Sequence, residues 1–138
     1  MAEGYEVFKV VRRRTDNQLV SCFAPDKLRV YYKIGEKSIP KVGKLFCFQN
    51  LISAQHFIKE MCFFTCANIL LCETNSVDFL TNIERIPQGC CGREYDYSYR
   101  IFWQNPQIWR ESHNGNNIPE GTVFCDYVIP LEEVDPCM

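Results

Sequence analysis

A chain of 138 residues, 46% hydrophobic and 23% charged with a formal net charge of −2, has the size and composition of one ordinary globular domain with one core. Seven glycines and seven prolines without a repeat exclude collagen-like and low-complexity classes, and the hydrophobic share excludes a wholly disordered chain. The most apolar window, Met61 to Cys72, spans twelve residues and contains Thr65 and Asn68, well short of the roughly 20 apolar residues that cross a bilayer.

The opening residues Met1 to Glu6 carry two acids and lead into an alternating charged stretch, without the basic start and continuous apolar run of a secretory leader. Tyr5, Val7, Lys9 and Val11 alternate with Glu6, Phe8, Val10 and Arg12, the period of a strand with two partly covered faces. Polar residues Arg13 to Asn17 then turn the chain into Gln18 to Phe23. Ala24-Pro25-Asp26 supplies a second turn, and Leu28 to Ile34 reads as a third strand, making a three-stranded antiparallel meander.

After Pro40 and Gly43, Lys44 to Phe48 reads as a further strand. The main helix follows, over about residues 53–64: Ala54, Phe57, Ile58, Met61 and Cys62 recur at helical spacing, with Gln55, His56, Lys59 and Glu60 on the polar side. Ser53 or Asn50 would cap its start. Ile69 to Glu73 reads as a buried strand, while Val77 to Ile86 fits a strand pair or a short helical turn.

Gln88 to Glu94 forms a loop around Cys90-Cys91. In the strand Tyr95 to Trp103, residues Tyr95, Tyr97, Tyr99, Ile101 and Trp103 share one face. Gln104 to Thr122, with two Pro, two Gly and four Asn, reads as a long surface loop around Ile108-Trp109. A last strand, Thr122 to Leu131, precedes an acidic tail at 132–138. The expected fold class is α+β, a mainly antiparallel sheet with one amphipathic helix packed on it, in a single domain over 1–138.

The nine cysteines cannot all pair within one chain. Cys47, Cys62, Cys66 and Cys72 sit where a small buried apolar residue would serve, and the chain has no Asn-x-Ser/Thr site, so the thiols read as reduced and the compartment as cytoplasmic. Zinc would need converging Cys and His pairs. No Cys-x-x-Cys is present, and Cys62 and Cys66 with Cys90 and Cys91 match no finger spacing, so no metal and no cofactor are expected. The phosphate-loop and dinucleotide glycine patterns are missing as well.

Cys90 and Cys91, flanked by glycines and followed by Arg93, are the best placed thiols for reactivity, because a nearby cation favours thiolate. Only His56 and His113 could act as the base of a cysteine enzyme, and neither has a spacing that ties it to a cysteine. No recognisable catalytic motif emerges, and the reading leans away from an enzyme. The alternatives kept open are a cysteine-dependent enzyme or redox-sensitive thiol protein at Cys90/Cys91, and a single-strand nucleic-acid binder.

Residues 1–44 hold ten Lys and Arg against five Asp and Glu, net +5, and residues 45–138 hold five against twelve, net −7. Such asymmetry marks either a basic binding face or two parts that attract one another in the fold. Arg12-Arg13-Arg14 with Lys9, Lys33, Lys37, Lys41 and Lys44, interleaved with Tyr31 and Tyr32, has the elements of a single-strand binder, but a pI near 5.7 argues against it. The leading expectation is a small intracellular binding or interaction domain for an unknown protein or small-molecule ligand, without a membrane role. Its binding residues would be Tyr95, Tyr97, Tyr99, Trp103, Trp109 and Arg93, aromatic anchors beside polar loops.

Overall fold

The computed structural model of the chain describes residues 4–21, 28–61, 67–78, 85–87, 115–117 and 121–136. The fold is α+β, a mainly antiparallel sheet with one helix. Its central element is β1 (Tyr5–Arg13), whose two-residue alternation is carried through into two buried faces. One edge of β1 pairs along nearly its whole length with β5 (Ala67–Thr74), from Tyr5 opposite Thr74 to Arg12 opposite Ala67. The other edge is shared. Phe8 pairs with Phe48 of β4 (Leu45–Phe48), whereas Val11 to Arg13 pair with β2 (Leu19–Ser21).

The polar turn after β1 forms as its residues dictate. Asn17 takes a φ of +71°, a conformation Asn tolerates better than most residues, and the Arg14 amide donates to the Gln18 carbonyl at 2.8 Å. β2 then pairs with β3 (Tyr31–Tyr32), completing the expected meander. The third strand is shorter than Leu28 to Ile34: at its start the Ser21 amide donates to the Val30 carbonyl at 3.0 Å, but the Val30 amide turns to the Ser21 hydroxyl at 3.1 Å in place of the second ladder bond.

The strand expected over Thr122 to Leu131 is two strands, β9 (Thr122–Cys125) and β10 (Ile129–Val134). β10 pairs with β5, and β9 pairs with β6 (Val77–Asp78). Glu73 faces Ile129 and Val77 faces Cys125, which is one unbroken register, so β5–β6 and β10–β9 are two halves of a single bent ladder. β9 also pairs with β4, from Leu45 opposite Cys125 to Phe48 opposite Thr122. The pairing therefore runs from β1 through β5, the bent ladder and β4 back to β1, and the sheet closes into a small barrel. Glu132 to Val134 continue β10, so the acidic C-terminal segment begins within the sheet.

Alternation sorts the side chains. Val7, Val11, Leu19, Tyr32, Leu45, Cys47, Leu70, Cys72, Val123 and Cys125 fill one buried cluster, the barrel interior. Phe8, Val10, Phe48 and Ile69 point outward under the helix. That helix, α1 (Leu51–Met61), begins two residues before the expected position, because Asn50 rather than Ser53 caps it: the Asn50 side-chain oxygen accepts the Ser53 amide at 2.8 Å. Ala54 is fully buried, with Leu51, Phe57 and Ile58 packed beside it. Gln55, expected on the polar face, is buried instead and donates from its side-chain nitrogen to the Asp135 carbonyl at 3.1 Å. Residues 62–66, with Cys62 and Cys66, lie outside the described residues.

A second, two-stranded sheet pairs β7 (Arg85–Pro87) with β8 (Gly115–Asn117). β8 falls inside the stretch expected as a long loop, and β6 with β7 answers the ambiguous Val77 to Ile86 segment with strands at each end. Among the described residues no helix is long and apolar enough to cross a membrane.

Gly121 fixes where β9 meets the helix. Its φ is +81°, a β-carbon there would come within 2.7 Å of Ser53 Cβ, and its carbonyl accepts the Gln49 amide at 2.9 Å. Gly35 also has a positive φ, +84°, but faces open space. Gly35→Ala is thus expected to cost about 1 to 2 kcal/mol through its backbone alone, and Gly121→Ala to exceed that by about 1 kcal/mol or more because Ser53 must give way. Urea unfolding of the two variants checks the order.

Candidate functional site

Most of the expected site residues lie outside the described residues: Cys90, Cys91, Arg93, Tyr95, Tyr97, Tyr99, Trp103, Trp109 and His113. His56 is described. It is exposed on α1, with Nδ1 4.0 Å from Glu60 one turn on, the ordinary surroundings of a surface histidine.

Two constellations are built by the described residues. The first is inside the barrel. The alternation of β1 sends Lys9 inward with Val7 and Val11, and Lys9 is only 8% exposed. Its ammonium donates to the Phe46 carbonyl at 2.7 Å and lies 6.0 Å from the centre of the Tyr32 ring. The position has a cause. Between Phe8, which pairs with β4, and Val11, which pairs with β2, the edge of β1 passes from one neighbour to the other. A long cation there satisfies a β4 carbonyl close to where the two strands part.

Around Lys9 stand three free buried cysteines, Cys47 on β4, Cys72 on β5 and Cys125 on β9. The neighbouring Cys125 thiol lowers the pKa of Cys47 against the opposing effect of burial, with the Lys9 charge adding to the lowering. The Cys47 side chain, and burial after it, push Cys125 up. Burial pushes Cys72 up as well. The apolar alternation around Cys47 and Cys72 signals burial, and both are buried. That Lys9 and Cys125 join them was not legible, because convergence from four strands is a property of barrel closure.

The second constellation lies at the corner where β6 meets β9. Lys44 reaches Asp78 at 3.2 Å and Asp126 at 3.5 Å, and Ser76 donates its hydroxyl to Asp126 at 2.6 Å. Tyr127 hydrogen-bonds to the Asn75 side chain, and Lys37 lies 4.2 Å from the Tyr127 ring centre. The Ser76 hydrogen bond, with the Lys44 charge, lowers the pKa of Asp126 although burial opposes it. For Lys44, burial opposes a rise that its bonds to Asp78 and Asp126 produce. A depressed carboxylate stabilises the fold above its unfolded value near 4 and loses that contribution as pH falls through the folded value. Asp126→Asn is accordingly expected to flatten the acid side of the stability profile, read as urea midpoints between about pH 6 and pH 2.

Part of the charge asymmetry is attraction within the fold. Arg13 pairs with Glu133, and Lys44 with Asp78 and Asp126, each joining the basic first part to the acidic remainder. Two of the basic residues leave any common face: Lys9 is buried, and Arg13 points to the opposite side of β1 from Arg12. Arg14 is engaged by Asp16 at 3.7 Å and by the Tyr31 hydroxyl at 2.9 Å.

The exposed apolar residues are less evenly spread. The barrel has a seam where the segment after β3 meets the start of β10: Ser38 and Val128 exchange backbone bonds at 2.8 and 3.1 Å, and the Gly35 amide donates to the Pro130 carbonyl at 2.8 Å. Ile34, Ile39 and Leu131 border this seam in sequence and are exposed, as is Tyr31 on β3. Leu131 is the extra residue of a bulge between Pro130 and Glu132. Nothing in the exposed pattern of single residues marks this seam in the sequence, because the two segments are some 90 residues apart. Among the described residues no group of three or more His, Cys, Asp or Glu is placed to hold a metal ion. No family model, curated protein or solved structure matches the chain.

Proposed function

We propose that the chain is a small binding domain that recognises a partner protein on the outside of its barrel, at the seam between residues 31–39 and 127–131. The carrying observation is that four of the six large apolar side chains exposed among the described residues, Tyr31, Ile34, Ile39 and Leu131, belong to these two segments. Isolated exposed apolar residues are ordinary, whereas a group of them beside polar neighbours suits recognition. Lys33 and Lys37 supply the polar rim. The barrel interior supports an outside site, since it is occupied by the chain's own side chains. Three free buried thiols favour a reducing, cytoplasmic setting.

A photoreactive amino acid placed at Ile34 tests the proposal, with the same probe at Ile52, exposed on α1, as the control. A discrete covalent adduct at Ile34 and none at Ile52 is expected on irradiation in cells. A third probe at Tyr97 covers the aromatic stripe read from the sequence. Adducts at Tyr97 with none at Ile34 would move the site to residues 95–103, and equal labelling at Ile34 and Ile52 would overturn the seam.

A further inference from the structure

The two segments of the seam differ in charge from the rest of the chain. Residues 31–41 hold Lys33, Lys37 and Lys41 against Glu36, net +2, and residues 127–131 hold no charged side chain. The whole chain is −2, so everything else carries −4. All three lysines are exposed, in the same run as the exposed Ile34 and Ile39. Lys37 places this charge at the seam itself: it belongs to the first segment, and its ammonium lies 4.2 Å from the ring centre of Tyr127 in the second.

The acids that border the seam do not cancel this charge. Asp126 is held by Lys44 at 3.5 Å and by the Ser76 hydroxyl, and Glu133 is held by Arg13. Beside Tyr31, Arg14 and Asp16 balance one another at 3.7 Å. Glu36 meets Lys33 at 3.6 Å, but the two side chains are 64% and 77% exposed, and an ion pair so open to water holds its charges weakly. Glu132, exposed and opposite Leu71 on β5, is the remaining acid. With Glu132 counted, the surface keeps a net positive charge.

Resting on the seam as the binding surface, we propose that its occupant is an acidic segment of a partner protein. The segment sets apolar side chains against Ile34, Ile39 and Leu131 and its Asp and Glu residues against Lys33, Lys37 and Lys41. Charge complementarity selects it. A basic segment would meet three exposed lysines, and a second copy of this chain in a twofold contact would bring its own lysines to the same place, where like charges repel. The aliphatic anchors favour a protein over a nucleic acid, whose bases stack on aromatic rings. Burial of the anchors holds the complex together, whereas the lysines at the rim attract the segment and speed its approach, an effect that salt screens.

The test uses the full chain with the photoreactive residue at Ile34, irradiated in cells, and mass spectrometry of the cross-linked peptide. The expected peptide has more Asp and Glu than Lys and Arg, with apolar side chains among them. Lys33→Glu combined with Lys41→Glu should lower the adduct yield about tenfold, the factor expected when two rim attractions become repulsions. Glu132→Lys should raise the yield, a change that misfolding cannot imitate. In cell extract the yield should fall between about 0.1 M and 1 M salt, as the screening length shortens from roughly 10 to 3 Å. No adduct at Ile34 without these charge changes would remove the seam, and this inference with it. A discrete adduct whose peptide is neutral or basic, or whose yield ignores the charge changes, would keep the seam and overturn the acidic segment. So would an adduct of twice the chain's mass, which is a second copy, or one that nuclease removes, which is nucleic acid.

Discussion

Phe124→Ala is expected to lower the unfolding free energy by about 3 to 5 kcal/mol, the largest single loss among the described positions. Phe124 is fully buried near the middle of β9, directly opposite Phe46 on β4 and Asp78 on β6. The Phe46 and Phe124 rings meet edge to face, with centroids 4.9 Å apart and planes at 67°. Truncation removes that pair and opens a cavity between two strands held on both edges, which cannot collapse to fill it. Chemical denaturation measures the effect. A loss under about 1 kcal/mol, the range of ordinary substitutions, would mean that β9 is peripheral rather than a wall of the barrel.

Lys9→Ala is expected to cost about 2 to 4 kcal/mol. The Phe46 carbonyl loses its bond from the Lys9 ammonium, and a hydrogen bond to a charged group contributes roughly 1.5 to 3 kcal/mol. The remainder comes from the aliphatic stem, which packs among Val7, Val11 and Tyr32. Lys9→Met keeps the stem and removes the ammonium together with the desolvation cost of its charge, so it should fall between Lys9→Ala and wild type. Thermal unfolding of both variants gives the order. If Lys9→Ala lay within about 0.5 kcal/mol of wild type, the surface-substitution range, the cation would have no structural part in the parting of β4 and β2.

What could be read from sequence divides along the range of the interactions. The strand β1, the meander, the helix and the buried character of Cys47 and Cys72 are local patterns of period two or 3.6, and they are present in the fold. Asn50 as the cap was one of two local options, and a single hydrogen bond selects it. The departures have non-local causes. The strand over Thr122 to Leu131 breaks at Asp126 because its first part belongs with β4 and β6 and its second with β5. Gln55 is buried because the chain beyond β10 passes over it and offers the Asp135 carbonyl.

The candidate surfaces follow the same division. Arg12, Arg13 and Arg14 look like one basic cluster in sequence, but a strand sends neighbours to opposite faces, and Arg13 ends against Glu133. Lys9 reads as one more surface cation until closure of the barrel places it inside. The seam requires residues 35–38 to meet 128–130, a pairing that no local pattern announces. The aromatic stripe Tyr95 to Trp103 and the Cys90-Cys91 loop lie outside the described residues, and the probe at Tyr97 addresses the first of them directly.

The seam rests on backbone bonds from residues 35–38, which lie outside the named strands, to Val128 and to Pro130 at the start of β10. Hydrogen exchange of the native chain, resolved by residue, tests this most directly. The Ser38 amide, donating to Val128 at 2.8 Å, and the Val128 amide, donating to Ser38 at 3.1 Å, should exchange about a hundredfold or more slowly than an unbonded surface amide. They should also track the amides of β1 and β5 as denaturant is added. Exchange of Ser38 and Val128 at the rate of an unbonded surface amide, with β1 and β5 still protected, would show that residues 35–38 do not hold to the sheet and contradict the seam.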